Sequence, residues 1–289
     1  MAPQPSSSPA PHAIRVGPAG WSYSDWEGIV YPPHGSRFDH LAFLSGYFDT
    51  IEINSTFYRI PPVTHGRSWV KRVEANERFR FCVKLHRGFT HEASIPSDED
   101  VSAFRALLDV MRDGGRLGAV LIQFPWSFKE TGEGERRLEA IFRRFEGYPL
   151  ALEVRHASFQ NETFFEFLRS ARVAFVNIDQ PLFHDSVRPA AMVTSTPAYV
   201  RFHGRNHEKW FNHSESWERY DYLYSRRELA PWIERIGEMA TAEEVYVITN
   251  NHFRGQAVVN AIDIKRGLGQ PAEVPPQLAA AYGVRLEAR

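Results

Sequence analysis

The sequence predicts an α/β fold, a single (β/α)8 barrel of the TIM type at residues 13–289, preceded by a disordered tail at residues 1–12. Short strand-like runs alternate with longer amphipathic runs up to about residue 268, which is the rhythm of βαβ units. The strand-like runs number eight, as a closed barrel of this type requires. No Pro- or Ser-rich linker divides the series, so we expect one domain. A doubly wound open sheet is the alternative.

The individual elements follow from local patterns. Runs rich in β-branched and aromatic residues predict strands at residues 14–17, 50–54, 79–86, 119–124, 150–155, 173–179, 199–203 and 245–250. Apolar residues spaced three and four apart predict helices at residues 38–48, 67–75, 101–111, 135–145, 163–169, 228–239 and 257–267. The segment Gly17-Pro-Ala-Gly20 falls short of a dinucleotide-binding motif, and its glycines are predicted to form a turn. From about residue 271 the chain is rich in Pro and Ala and is expected to pack loosely.

Composition excludes several classes of protein. The 34 Lys and Arg against 35 Asp and Glu give a net charge of -1, which argues against a general polyanion binder. The single cysteine, Cys82, allows no internal disulfide and fits a reducing compartment; its position within a strand predicts core packing. The tail carries no apolar run of a signal peptide, and no stretch approaches the roughly 18 apolar residues of a membrane span. These features predict a cytoplasmic protein that does not bind membranes.

Within each predicted strand, apolar residues alternate with polar ones. In a barrel the apolar face packs under the helices, and the other face points into the lumen, whose C-terminal mouth holds the active site. This alternation predicts a ring of lumen residues: Glu52, Asn54, Lys84, His86, Gln123, Glu153, Arg155, Asn177, Asp179, Arg201, His203 and Asn250. A network of salt bridges that only fills the mouth is the alternative. Buried ion pairs seldom stabilise a fold more than apolar replacements do, so we predict a ligand or catalytic site.

The ring suits proton transfer. Carboxylates, histidines and desolvated lysines act as general acids and bases when their surroundings separate their pKa values. The candidate catalytic residues are therefore Glu52, Lys84, Glu153, Asp179 and His203. For Lys84 three roles stay open, namely a base, a Schiff-base amine or a plain counter-ion to a carboxylate.

A metal centre is the less favoured alternative. The carboxylates and histidines of the ring are ligand types used for Mn, Mg or Zn. However, Lys84, Arg155 and Arg201 lie on the same layers and match the three carboxylates in number. The spacing H-E-x-x-H is absent, and a lone cysteine excludes a thiolate cluster. We expect no cofactor and no metal, with a divalent ion as the alternative.

The long loop after the seventh strand is rich in cations and aromatic residues. Barrels often bind phosphate after strands seven and eight, which predicts a phosphate site built from Arg201, Arg205 and the pair Asn250-Asn251. Cations among aromatics also suit single-stranded nucleic acid, and a lid packed by its own tyrosines is the third interpretation. Aromatic clusters after strands one and two add one wall. The predicted substrate-binding residues are Trp21, Asn54, Tyr58, His86, Gln123, Arg155, Arg201, Arg205, Asn250 and Asn251.

These residues fall in a series of short motifs. In chain order they are Gly17-x-x-Gly20-Trp21-Ser22-Tyr23, Glu52-Ile-Asn54-Ser-Thr-Phe57-Tyr58-Arg59, Thr90-His91, Leu121-Ile-Gln123-Phe-Pro125, Glu153-Val-Arg155-His156, Tyr199-Val-Arg201-Phe-His203-Gly204-Arg205 and Asn250-Asn251. The series resembles the YecE-like family of unknown function. The resemblance implies a TIM-type barrel and supplies no established reaction. Phe159 and Thr249 stand where the family usually has Trp and Phe.

The sequence is compatible with three functions. The first is an enzyme that binds a small anionic substrate, phosphorylated or sugar-like, at the barrel mouth and uses carboxylate, histidine or lysine acid-base chemistry. The second is a nucleic-acid-binding barrel or a metal-dependent endonuclease-like one, which the near-neutral charge disfavours. The third is a non-catalytic protein that binds a small ligand.

Overall fold

The strands form one parallel barrel. A computed structural model describes residues 14–33, 38–93 and 96–287, so the tail predicted at residues 1–12 lies outside the described residues. The eight strands are β1 (Ile14–Pro18), β2 (Thr50–Ile53), β3 (Arg80–Lys84), β4 (Leu117–Gln123), β5 (Leu150–Glu153), β6 (Ala174–Asp179), β7 (Ala198–Phe202) and β8 (Val245–Thr249). They pair in parallel in the order β1-β8-β7-β6-β5-β4-β3-β2.

The two end strands of that order meet at the C-terminal end of the barrel. Ala19 bridges Glu52 in parallel, and the Gly20 N–H donates to the Glu52 carbonyl oxygen at 2.8 Å. This contact nearly closes the sheet on itself. The prediction of a TIM-type α/β barrel is confirmed.

Helices cover the outside of the strands, as the amphipathic patterns predict. Apolar side chains such as Phe104, Leu107 and Leu108 are fully buried against the sheet. The helices are α1 (His40–Ser45), α2 (Ser55–Tyr58), α3 (Val63–Arg72), α4 (Arg87–Thr90), α5 (Asp98–Asp113), α6 (Gly132–Arg144), α7 (Glu162–Ala171), α8 (Arg226–Met239), α9 (Gln256–Gly267), α10 (Pro276–Tyr282) and α11 (Val284–Glu287). No helix within these described residues is apolar over a length that could cross a bilayer.

The C-terminal segment packs more firmly than its composition predicts. Residues after 271 form α10 and α11, where Leu278 and Leu286 are buried. Arg285 donates to the carboxylate of Asp263 in α9 at 2.8 Å. The prediction of loose packing is wrong, because two apolar side chains and an ion pair hold this segment to the barrel.

Strand β6 faces the opposite way from the prediction. Val176 and Ile178 are in register with Tyr199 and Arg201 of β7, so they share the lumen face with those two residues. Asn177 and Asp179 therefore lie between the sheet and the helices, where Asp179 accepts a hydrogen bond from Trp232 of α8 at 2.7 Å. The prediction that Asn177 and Asp179 belong to the lumen ring is wrong. Both faces of β6 are buried, so polarity alone could not identify the lumen face.

Gly17 belongs to β1 rather than to a turn. It lies at the seam of the barrel, where β1 packs against the backbone of β2. A Cβ atom at this position would lie 1.9 Å from the carbonyl oxygen of Thr50, so only glycine allows the two strands to approach. Gly20, with φ of +77°, does form the predicted turn. The turn prediction is therefore right for Gly20 and wrong for Gly17.

Replacing Gly17 by alanine is expected to lower the free energy of unfolding by about 2 kcal/mol or more, because the new methyl group must displace β2 backbone. Urea denaturation measures the change. The matched control is Gly237→Ala in α8, where the exposed position has free space for a Cβ. That control is expected to gain about 0.5–1 kcal/mol. An unaltered stability in Gly17→Ala would contradict the seam argument.

Candidate active site at the barrel mouth

Four charged side chains, three from strands and one from just after β5, form a buried carboxylate-guanidinium network: Glu52, Glu153, Arg201 and Arg155. The Arg201 guanidinium lies between both carboxylates, 2.6 Å from Glu52 Oε1 and in a short contact with Glu153 Oε2. Arg155 donates to Glu153 Oε1 at 3.0 Å. The Tyr199 hydroxyl donates to Glu52 Oε2 at 2.8 Å. The predicted charged side chains therefore do come together, but they form ion pairs mainly with one another.

The network keeps Glu153 ionised. Burial alone would raise the pKa of Glu153, but the positive charges of Arg201 and Arg155 and the ring of His203 outweigh it and hold that pKa well below its usual value. Burial would lower the pKa of Arg201, and the two carboxylates reverse that effect and raise it. A proton donor or acceptor works best with a pKa near the working pH. Glu153 is thus better suited to fixing the electrostatic potential than to proton transfer.

His203 links the network to the cavity above it. Its Nε2 lies 3.2 Å from Glu153 Oε1, and its Nδ1 lies 3.1 Å from Asn250 Nδ2. Burial lowers the pKa of His203 to about 3, so the ring is neutral at neutral pH. The partners assign the tautomer: Nε2–H donates to Glu153, and Nδ1 accepts from Asn250. Asn250 Oδ1 in turn accepts from Asn54 Nδ2 at 3.5 Å.

Lys84 differs from the other cations of the mouth. Among the described residues it makes no ion pair, and its side chain is half-buried. The face of Phe57 lies 4.1 Å from Nζ, a contact that by itself favours the ammonium form. Burial and the positive charge of Arg201 outweigh that contact and lower the pKa of Lys84 from 10.5 to about 7. Near neutral pH a large fraction of this amine is unprotonated.

The Lys84 amine opens into a cavity of about 530 Å³, which we name the mouth cavity. Five predicted site residues line the cavity, namely Trp21, Asn54, Tyr58, Lys84 and Asn250. The remaining lining residues are Ser22, Tyr23, Ser55, Phe57, Ser216, Tyr220 and His252. The cavity thus combines one amine with amides, hydroxyls and aromatic rings.

Seven lining residues, among them His252, Tyr220 and Phe57, are not predicted site residues, although Phe57 lies in an aromatic cluster predicted to form one wall. His252 stacks on Tyr23 with ring centroids 4.5 Å apart, and the centroid of the Tyr220 ring lies 5.2 Å from that of His252. Burial lowers the pKa of His252 to about 4, so it is neutral at neutral pH. Phe57 stands under Lys84. His252 directly follows the pair Asn250-Asn251, and Phe57 lies in the motif that begins at Glu52. Closeness in sequence to these predicted site residues could have identified both.

Asp179 and Arg205 form a second ion pair, behind β6 and β7. Arg205 binds the carboxylate through two nitrogens, at 2.8 and 2.6 Å, and the hydroxyl of Tyr224 donates to it at 2.6 Å. With Trp232, three side chains satisfy this buried carboxylate. The pair therefore anchors the loop after β7 to the barrel.

The predicted phosphate site is not brought together. Arg201 and Arg205 are bound to carboxylates, and Asn251 donates to the Tyr222 carbonyl and to Asn260, each at 2.8 Å. Asn251 is fully buried. Of the predicted set, Asn250 lines the mouth cavity.

Two further candidates have local partners outside the mouth cavity. His86 accepts a hydrogen bond from the Gly88 N–H at 3.2 Å and so caps α4. Gln123 donates to the Phe124 carbonyl at 2.6 Å. Within the described part of the chain, no three His, Cys, Asp or Glu side chains gather as a metal-binding group. The expectation of no metal, with a divalent ion as the alternative, stays a prediction.

The loop after β7 lies over the network. Trp210 is buried, and the Arg155 guanidinium lies 5.4 Å from its ring. Lys209 pairs with Glu218 at 2.8 Å within the loop. The predicted cations of the loop thus have carboxylate partners. Whether the loop also grips nucleic acid stays a prediction.

Fold and site together define a (β/α)8-barrel protein whose C-terminal mouth holds an aromatic-walled cavity above a buried charge network. The chain belongs to the family described as protein of unknown function DUF72, whose profile matches residues 15–281. The resemblance to YecE-like proteins is confirmed. Cys82 is buried as predicted, and Phe159 is also fully buried, while the Thr249 hydroxyl donates to Ala257, so neither departure lines the mouth cavity.

Relatives match along most of their length. The chain is 30% identical to UPF0759 protein YunF of Bacillus subtilis, over 86% of this chain and 92% of the relative. It is 22% identical to UPF0759 protein YecE of Escherichia coli K12, over 93% and 100%. A DUF72 crystal structure from Thermotoga maritima is 35% identical, with a TM-score of 0.77 over 90% of this chain and 100% of that one. One from Enterococcus faecalis is 28% identical, also with 0.77, over 91% and 98%.

Proposed function

We propose that this protein is an enzyme that binds a small anionic substrate, phosphorylated or sugar-like, in the mouth cavity and that Lys84 is its reactive group. The observation that carries the proposal is the position of Lys84. Its amine faces the cavity without an ion-pair partner among the described residues. Active sites of TIM-type barrels lie at this end of the strands. A titratable group with a perturbed pKa in a cleft supports a functional role.

Charge supports an anionic ligand. Lys84, Arg155 and Arg201 carry three positive charges when Lys84 is protonated, and Glu52 and Glu153 carry two negative ones, so the mouth has a net charge of +1. A bound carboxylate or phosphate would cancel that excess. The cavity volume of about 530 Å³ falls within the range of small-molecule sites.

The other residues then have supporting roles. The carboxylate-guanidinium network fixes the electrostatic potential under the cavity. Through His203 and Asn250 it also orients the amide of Asn54. Trp21 and Tyr58 provide apolar surface on which the carbon skeleton of a substrate can lie. In this proposal Asp179 holds Arg205 and the loop and takes no part in the chemistry.

A thermal-shift screen tests the proposal. Inorganic phosphate, simple carboxylates and sugar phosphates are added to the wild-type protein and to Lys84→Met. We expect at least one anion to raise the Tm of the wild type by a few degrees and to lose most of that effect in Lys84→Met. Lys71→Met, which removes an exposed lysine of α3, is the matched control and should respond as the wild type does.

The same screen separates the alternative functions. Single-stranded oligonucleotides that bind in a salt-dependent way, with loss on Arg205→Ala and Lys209→Ala but not on Lys84→Met, would favour the nucleic-acid function instead. Anion binding that is equal in the wild type and Lys84→Met would contradict the proposal.

A further inference from the structure

We infer that Lys84 acts as a nucleophile, forming an imine with the carbonyl group of a short, hydroxylated compound that also carries a carboxylate or phosphate. The inference rests on the proposed function and names its substrate class. It starts from an amine whose carboxylate neighbours are committed elsewhere: Glu52 and Glu153 direct their oxygens at Arg201, Arg155, Tyr199 and His203.

A lysine nucleophile needs a free lone pair and access to its substrate. A carboxylate held against the amine would keep it protonated, and Lys84 has no such contact among the described residues. Burial and the positive charge of Arg201 lower the pKa of Lys84 and outweigh the more distant carboxylates of Glu52 and Glu153, which favour the ammonium form. Lys265 provides a contrast at another site, since its ammonium is half-buried too but donates to the Tyr47 carbonyl at 2.9 Å. That hydrogen bond favours the protonated amine, which has no lone pair.

The polar atoms of the mouth cavity indicate the rest of the substrate. Asn54 Oδ1 and His252 Nδ1 are buried and have no hydrogen-bond partner among the described residues. A buried acceptor without a donor is costly, so a hydroxyl from the ligand would satisfy Asn54. A protonated imine nitrogen at Lys84 gives the mouth one excess positive charge over the two paired carboxylates and guanidiniums, and an anionic group on the substrate would balance it. The flanking rings of Trp21 and Tyr58 suit a short carbon skeleton.

The step balances without any other reactant. The Nζ lone pair attacks the carbonyl carbon, a C–N bond forms, and the C=O electron pair moves to oxygen. Both hydrogens of the neutral amine leave with that oxygen as one water molecule, and a C=N bond remains. Protonation of this nitrogen makes an electron sink that acidifies the neighbouring C–H bond. No atom is oxidised or reduced.

Reductive trapping tests the inference. The full-length protein is incubated at pH 7 with dihydroxyacetone phosphate and sodium cyanoborohydride, and labelled lysines are located by peptide mass mapping. The chain has five lysines, at positions 71, 84, 129, 209 and 265, so each can be scored. We expect Lys84 to be labelled about tenfold or more faster than Lys71 or Lys265, because its pKa is about 7 and its amine faces the mouth cavity. Dihydroxyacetone, which lacks the phosphate, should label it more slowly.

The pH profile makes the result independent of any variant that fails to fold. Labelling of Lys84 in the wild type should reach half its maximum near pH 7. Equal labelling of Lys84 and Lys71 overturns the inference.

The proposed function can survive that failure. If Lys84 is not trapped but anion-induced stabilisation still depends on it, imine formation is wrong and anion binding stands. If neither trapping nor stabilisation depends on Lys84, both are wrong.

Discussion

Replacing Arg201 by methionine is expected to lower the free energy of unfolding by about 3–5 kcal/mol, the range for breaking a buried ion pair from one side. The reason is that Glu52 and Glu153 are both fully buried, and each directs an oxygen at this guanidinium. Without it, Glu52 keeps the Tyr199 hydroxyl and Glu153 keeps Arg155 and His203. Two carboxylates then share too little positive charge. Urea denaturation of both proteins measures the loss.

A compensated variant and a surface control make that result specific. Glu52→Gln and Arg201→Met combined should recover a substantial part of the loss, because Glu153 keeps its pair with Arg155 and no uncompensated carboxylate remains. Arg169→Met breaks an exposed pair with Glu162 at 2.5 Å and should cost at most about 1 kcal/mol. A loss in Arg201→Met no larger than in Arg169→Met would show that the network does not depend on its central cation.

Much of the site could be predicted because two simple rules apply to barrels. Side chains alternate along a strand, and functional residues lie at the C-terminal ends. Together they were sufficient to place Glu52, Lys84, Glu153 and Arg201 in one lumen, although these residues are far apart in the chain.

The pairing of those charges could not be predicted. Which carboxylate meets which cation depends on the register between strands distant in sequence, such as β2 and β7 across the barrel. Arg201 reaches both carboxylates, and Lys84, equally polar by sequence, reaches neither. For this reason the sequence alone leaves the role of Lys84 open between counter-ion, base and nucleophile.

The prediction that Asn177 and Asp179 of β6 face the lumen was wrong for a different physical reason. Polar side chains mark a lumen face only if the other face is apolar, and Asp179 has donors on the helix side in Trp232 and Tyr224. A buried carboxylate is tolerated wherever enough donors converge on it. Those donors come from α8 and the loop before it, which no pattern within β6 reveals.

The second large effect concerns the stability of Lys84→Met as a function of pH. The folded protein lowers the pKa of Lys84 from 10.5 to about 7, so at pH 7 the unfolded chain binds more protons at this site than the folded protein does. The contribution of Lys84 to stability therefore rises as the pH increases from about 7 towards 10.5. Below that window the wild type carries the full cost of a desolvated ammonium, and methionine does not.

We therefore expect the free energy of unfolding of Lys84→Met to exceed that of the wild type by at least about 1 kcal/mol at pH 7. This difference should shrink as the pH rises to 10. Urea denaturation at pH 6, 7, 8.5 and 10 measures both curves. Lys71→Met, which removes an exposed lysine side chain, is the control and should show no comparable gain at pH 7. A pH-independent difference would mean that methionine only packs better and that the amine is not desolvated. A stability gain together with lost anion binding would instead show that the fold accepts a cost to keep an amine at its active site.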